Sequence, residues 1–119
     1  MSTKIKATEA VDSAVISDKP AFLYSLQVIN NVATLRYVMI FDSATVPADG
    51  AHPVWRGVLP ISGELNLSWD GSDHANFAGA PFENGISVAV SSTKDTLTVT
   101  SADEAYFQAH YSVRLRGRG

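Results

Sequence analysis

His52, His74 and His110 are the side chains best suited to holding a transition metal, yet no two of them stand at a close ligand spacing. They read as surface imidazoles. Asp70, Ser72, Asp73 and Asn76 put four hard oxygen donors within seven residues, a set that could attract Ca²⁺. The segment lacks the regular acidic alternation and the distal bidentate Glu of a calcium loop, so it reads as a polar turn. Ser87, Ser91 and Ser92 have no elbow motif and no nearby His or acid to activate a hydroxyl. Their alternation along a strand marks them as a solvent face. Glu64, Glu83 and Glu104 could in principle pair as acid and base for glycoside hydrolysis. Glu64 and Glu104 fall on the polar faces of their strands, and nothing marks any of the three as buried. No catalytic, cofactor or metal site emerges, and the chain reads as a protein without enzymatic activity.

The elements that carry these residues are strands. Leu65, Leu67 and Trp69 alternate with Glu64, Asn66 and Ser68, and Ile86, Val88 and Val90 with Ser87, Ala89 and Ser91. Residues 96–100 alternate again. From 104 to 115 the apolar set Ala105, Phe107, Ala109, Tyr111, Val113 and Leu115 keeps period two. Residues 22–29 are rich in aromatic and β-branched types and end at Asn30 and Asn31, a turn pair. Residues 35–41 follow at once, so the two segments are expected to form a hairpin. In the second of them Leu35, Tyr37, Met39 and Phe41 share one face. Val38 and Ile40 lie beside Arg36 on the other, which suggests a strand inside a sheet.

Residues 46–53 form a loop bounded by Pro47 and Pro53, with Asp49 and Gly50 as the turn signal. The strand at 54–61 follows, and Pro60 near its end implies an edge or terminus. Seven or eight short strands, turn signals every 8–14 residues and no sustained helical period describe an all-β chain. The architecture expected is a single antiparallel β-sandwich, jelly-roll-like. Residues 1–20 read as an N-terminal arm or edge strand, 21–113 as the sandwich and 114–119 as a basic tail.

Composition narrows the function. The 119 residues suit one core, and 45% hydrophobic content excludes disorder. Without cysteine there is no disulfide and no thiolate metal site. The N-terminal segment lacks the apolar run of a signal peptide or membrane helix, so a soluble protein is expected. Residues 1–113 hold six Lys or Arg against twelve Asp or Glu, while Arg114, Arg116 and Arg118 close the chain. That balance argues against direct nucleic-acid binding. The tail reads as a solvated terminus, with an arm reaching onto an acidic neighbour as the functional alternative. Trp69, Tyr37 and Tyr111 read as core. Trp55 beside Arg56, and Tyr106 on a polar face, are candidates for an interface, as are Asp49 and His52 in the loop at 46–53.

In order, Val28 to Asn31, Arg36 to Ser43, Val46 to Gly50 leading to Pro53 and Val54, Phe82 to Thr93, and a closing strand ending at Tyr111 resemble small bacteriophage-encoded all-β virion proteins. The resemblance covers about three-quarters of the chain and rests on strand and turn grammar. It implies a structural, oligomeric role without catalysis or cofactor. The expected function is a capsid decoration (cement) protein that stabilises the assembled head, with the phage major capsid protein or other virion proteins as expected partners. A homotrimer is expected, located in the virion and assembled in the host cytoplasm, with no membrane contact. The alternative is a tail, fibre or baseplate module binding a host receptor or glycan, with Trp55 or Tyr106 as stacking platform.

Overall fold

A computed structural model describes residues 4–68, 80–100 and 104–113. Among them there are nine strands and no helix, hence no helix long and apolar enough to cross a membrane. The strands are β1 (Lys4–Ala7), β2 (Ser13–Ser17), β3 (Ala21–Asn30), β4 (Arg36–Phe41), β5 (Trp55–Leu59), β6 (Glu64–Ser68), β7 (Ala80–Phe82), β8 (Ile86–Ser91) and β9 (Ala105–Val113).

They form two antiparallel sheets. The first runs β1-β9-β3-β6, with β7 paired to the start of β3, and the second runs β2-β8-β4-β5. Setting aside the three-residue β7, each sheet has four strands, and the chain crosses between sheets along β1, β2, β3 and β4. This is the jelly-roll strand order. The expected sandwich is therefore the observed one.

The expected hairpin is not. Segments 22–29 and 35–41 become β3 and β4 and lie in opposite sheets, β3 beside β9, β6 and β7, and β4 beside β8 and β5. Asn30 explains the crossing. Its side chain donates to the carbonyls of Thr34 (2.9 Å) and Pro60 (2.8 Å) and accepts from Val32 N (3.0 Å). The turn pair thus locks a sheet-to-sheet connection instead of a two-residue turn. Pro60 ends β5, an edge strand, and the turn through Ser62 (φ 50°) carries the chain back to the first sheet.

The core lies between the sheets. Leu23, Leu26 and Val28 of β3 and Phe107 and Ala109 of β9 face Val38 and Ile40 of β4 and Ile86, Val88 and Val90 of β8. Inward residues at 23, 26 and 28 violate period two. A bulge between Leu23 and Ser25 absorbs the extra residue, Tyr24, whose hydroxyl pairs with Ser112 Oγ at 2.7 Å.

The middle of the second sheet, β8 and the end of β4, is buried on both faces. Met39, Phe41, Ala89 and Leu97 form a smaller outer cluster with Ala51 packed against it. Two expectations are corrected here. Ser87 and Ser91 are fully buried, not a solvent face. Residues 96–100 form no strand of their own but lie over the sheet, joined by one bridge between Ser91 and Val99. Ser91 Oγ organises that crossing, donating to the Thr93 carbonyl at 2.7 Å, with the Thr96 carbonyl 3.2 Å away, and accepting from Thr93 N and Thr98 N. Its alternation with aliphatics marks a strand, but period two cannot tell a wet outer face from one covered by a loop.

Candidate interaction surfaces

The loop at 46–53 is a lid. Gly50 N donates to the Leu97 carbonyl (2.8 Å), Leu97 N to the Ala51 carbonyl (2.8 Å), and Val99 N to Asp49 Oδ1 (2.9 Å). Gly50 turns at φ 96°, a left-handed conformation that disfavours other residues. These bonds press Ala51 and Leu97 onto Met39 and Phe41. The Asp49 carboxylate is therefore a structural acceptor, although the residue is exposed, and His52 stands exposed two residues after Gly50.

In β5 the alternation is decided by Gly57. Trp55, Gly57 and Leu59 point inward, and the Trp55 ring lies over Gly57, where an added Cβ would fall 2.4 Å from Cη2. Trp55 is half-buried and packs on the main core, so it is not the exposed aromatic expected from its neighbours. Val54, Arg56 and Val58 point outward, and Val54 and Val58 are 61% and 52% exposed. Tyr37 sits opposite Val58, and Leu35 and Ile61 are also exposed beyond the ends of β4 and β5. An apolar band with one cation at its centre thus follows the free edge of the second sheet. The sequence did not single out Val54 and Val58, because both alternating sets in this strand are largely apolar.

Tyr106 is exposed on the opposite side of the molecule, on the outer face of the first sheet. It is brought together with Ile29, its partner across β3, and not with Asp49, His52 or Arg56. The expected interface residues therefore divide between two faces. Arg114, Arg116 and Arg118 lie outside the described residues, as do Trp69, His74 and the turn at 70–76.

Three registers define the outer face around Tyr106. Ile5, His110, Ser25 and Ser68 form one row, Ala7, Gln108, Gln27 and Asn66 the next, and Tyr106, Ile29 and Glu64 the third. Glu64 is the one formally charged side chain in the three rows. Asn66 Nδ2 lies 3.1 Å and Gln27 Nε2 3.5 Å from its carboxylate. His110 packs against Tyr24 with ring centroids 5.7 Å apart.

Glu104 is corrected as well. It is buried, not on a solvent face, and Oε1 accepts from Arg36 Nε at 2.8 Å. Arg36 opens β4 and Glu104 precedes β9, so the pair ties the two sheets at one end. Among the described residues, no three His, Asp or Glu side chains gather as a metal site would require.

No family model matches the sequence, and no curated protein does. Among solved structures the chain is similar to the coat protein of Tobacco streak virus, at 9% identity and a TM-score of 0.41, over 98% of this chain and 93% of that one. A likeness at that level carries no weight beyond the strand order already described.

Proposed function

We propose that this protein is a structural component of a virus particle, of bacteriophage type, that decorates and cements the assembled head. The observation that carries the reading is the apolar band along the β5 edge of the jelly roll, Leu35, Val54, Val58 and Ile61 around Arg56. An exposed apolar strip with an arginine has the composition of an interface centre. The strand and turn grammar shared with small phage virion proteins points the same way.

Magnitudes favour an oligomer. Burying one aliphatic side chain fully is worth about 1.5–3 kcal/mol, so four side chains already half covered would add on the order of 4 kcal/mol gross. Association costs about that much or more in lost freedom. One copy would hold weakly, whereas a trimer presenting three bands would gain by avidity. A trimer that binds only the assembled shell then stabilises that state by mass action, about 2.7 kcal/mol per site at a hundredfold excess over Kd. The basic tail, with Arg114, Arg116 and Arg118, would add an arm onto an acidic neighbour. Deleting 114–119 is expected to weaken binding to empty shells.

The test is particle stability. Heads lacking the protein should release DNA at lower temperature or milder osmotic shock, and purified protein should restore them while Val58→Glu protein should not. Unchanged head stability with lost adsorption to the host would overturn the reading in favour of a tail or receptor-binding module.

A further inference from the structure

We propose that the outer face of the first sheet is a binding site for a neutral oligosaccharide, with Tyr106 and Ile29 as the stacking wall and Gln27, Gln108 and Asn66 as the hydroxyl-recognising groups. This site stands on the opposite side of the sandwich from the β5 band and does not depend on the head-binding role.

The outer face of the first sheet has relief. The middle row, Gln108, Gln27 and Asn66, forms a ridge of amides between two transverse grooves. One groove, of 370 Å³, runs between that ridge and the row of Ile5, His110 and Ser25. The other, of 230 Å³, runs between the ridge and Tyr106 with Ile29. The larger reaches the size of small-molecule sites. Rows of outward residues on a sheet stand about 6.8 Å apart, so each groove is a furrow against which the face or edge of a six-membered ring can lie.

The chemistry on the ridge is selective. Each primary amide offers donors and an acceptor, which suits the paired hydroxyls of a sugar. Asn66 and Gln27 direct their NH₂ groups at Glu64, leaving their carbonyl oxygens as acceptors. Gln108 makes no side-chain hydrogen bond among the described residues and keeps its whole amide available. Tyr106, 41% exposed, presents an aromatic surface for the C–H face of a ring. All these groups sit on strands, which hold them more rigidly than loops would.

Charge and area decide between occupants. The three rows hold one carboxylate and no Lys or Arg, and residues 1–113 carry a net excess of six acidic groups, so an anionic polysaccharide would be repelled. Four strands about 4.8 Å apart by some six residues along them give a face on the order of 400 Å² in plan. Even with its relief counted, such a face does not exceed the roughly 800 Å² of accessible surface that a stable protein partner covers on each side. A second copy packed face to face would bind weakly, while an oligosaccharide of a few residues fits the available surface.

The experiment uses the full chain and a panel of neutral hexasaccharides with glucose, galactose, mannose and N-acetylglucosamine backbones, read by calorimetry and by amide chemical-shift changes. At least one sugar should bind, with the largest shifts at Gln27, Gln108 and Tyr106. Tyr106→Ala and the double variant Gln27→Ala/Gln108→Ala should each weaken it by roughly tenfold or more. Both alter exposed or half-buried outward positions, so folding is retained, and Val58→Glu should leave sugar binding unchanged. Failure of every sugar to bind at about 10 mM, a concentration that detects even millimolar affinity, would overturn the proposal. So would binding that the Tyr106 and Gln variants leave intact. Concentration-dependent dimerisation abolished by Gln108→Lys would overturn it in favour of a second copy on this face.

Discussion

Replacing Arg36 or Glu104 singly should destabilise the protein far more than replacing both together. The Arg36 and Glu104 side chains are 20% and 8% exposed, and Nε to Oε1 is 2.8 Å. An exposed pair is worth about 0.2–1 kcal/mol, whereas removing one partner of a buried pair costs about 3–5 kcal/mol, because the survivor stays desolvated and unpaired. With Glu104 almost wholly covered, Arg36→Ala belongs near the lower end of the second range, about 3 kcal/mol. Glu104→Ala should cost somewhat less, since Arg36 keeps some contact with water. Unfolding entropy for a chain of this size gives about 4 °C per kcal/mol, so Arg36→Ala should lower Tm by about 12 °C. The double variant Arg36→Met/Glu104→Leu fills the same space without charge and should lie within about 1 kcal/mol of the parent. Urea denaturation of the parent, Arg36→Met, Glu104→Leu and the double variant closes the cycle, each of these singles losing about as much as its alanine counterpart. Single losses below about 1 kcal/mol that simply add would refute the reasoning, for they would mean that the pair is no better than a surface bridge.

Gly85→Ala should be severe, more than about 3 kcal/mol. A Cβ there would meet backbone, Ser17 O at 2.6 Å and Ala44 Cα at 2.8 Å, which cannot step aside; a soluble variant of parental Tm would contradict this. Gly57→Ala meets side chains rather than backbone, the end of the Trp55 ring at 2.4 Å and Leu65 Cδ2 at 3.1 Å, so a milder loss of about 1–2 kcal/mol is expected as the ring swings outward. Tryptophan fluorescence should shift to the red, and an unshifted spectrum with full stability would count against the packing described. Ser87→Ala should leave stability unchanged or raise it by up to about 1 kcal/mol, because the buried Ser87 hydroxyl has no partner among the described residues. A clear loss in the urea midpoint would show that the hydroxyl is satisfied after all.

Period-two patterning exposed most of the fold. The alternation in β6, β8 and β9 is the direct imprint of a sandwich, and it marked Phe107 and Ala109 as core from their spacing alone. What it could not show was pairing. Asn30 and Asn31 look like a hairpin turn, and only the reach of the Asn30 side chain to Thr34 and Pro60 makes the segment a crossing. Burial on the outer side of the second sheet was equally hidden, since Ser87 and Ser91 are polar by type and covered by residues distant in sequence.

The surfaces were less legible for the same reason. Arg56 and Tyr106 were singled out by type. The Val54 and Val58 that flank Arg56 look no different from the inward-facing Trp55 and Leu59 until Gly57 admits the indole. Gln27, Asn66 and Gln108 read one at a time as solvated polar residues. They become a ridge only when three strands from distant parts of the chain bring them into register.

Imaging of intact particles with this protein labelled, together with its copy number per particle, decides whether it decorates the head. Hundreds of copies are expected on the outside of the head, in clusters of three, with the β5 edge turned toward the shell. Absence from purified particles, or a few dozen copies confined to the tail, would contradict it.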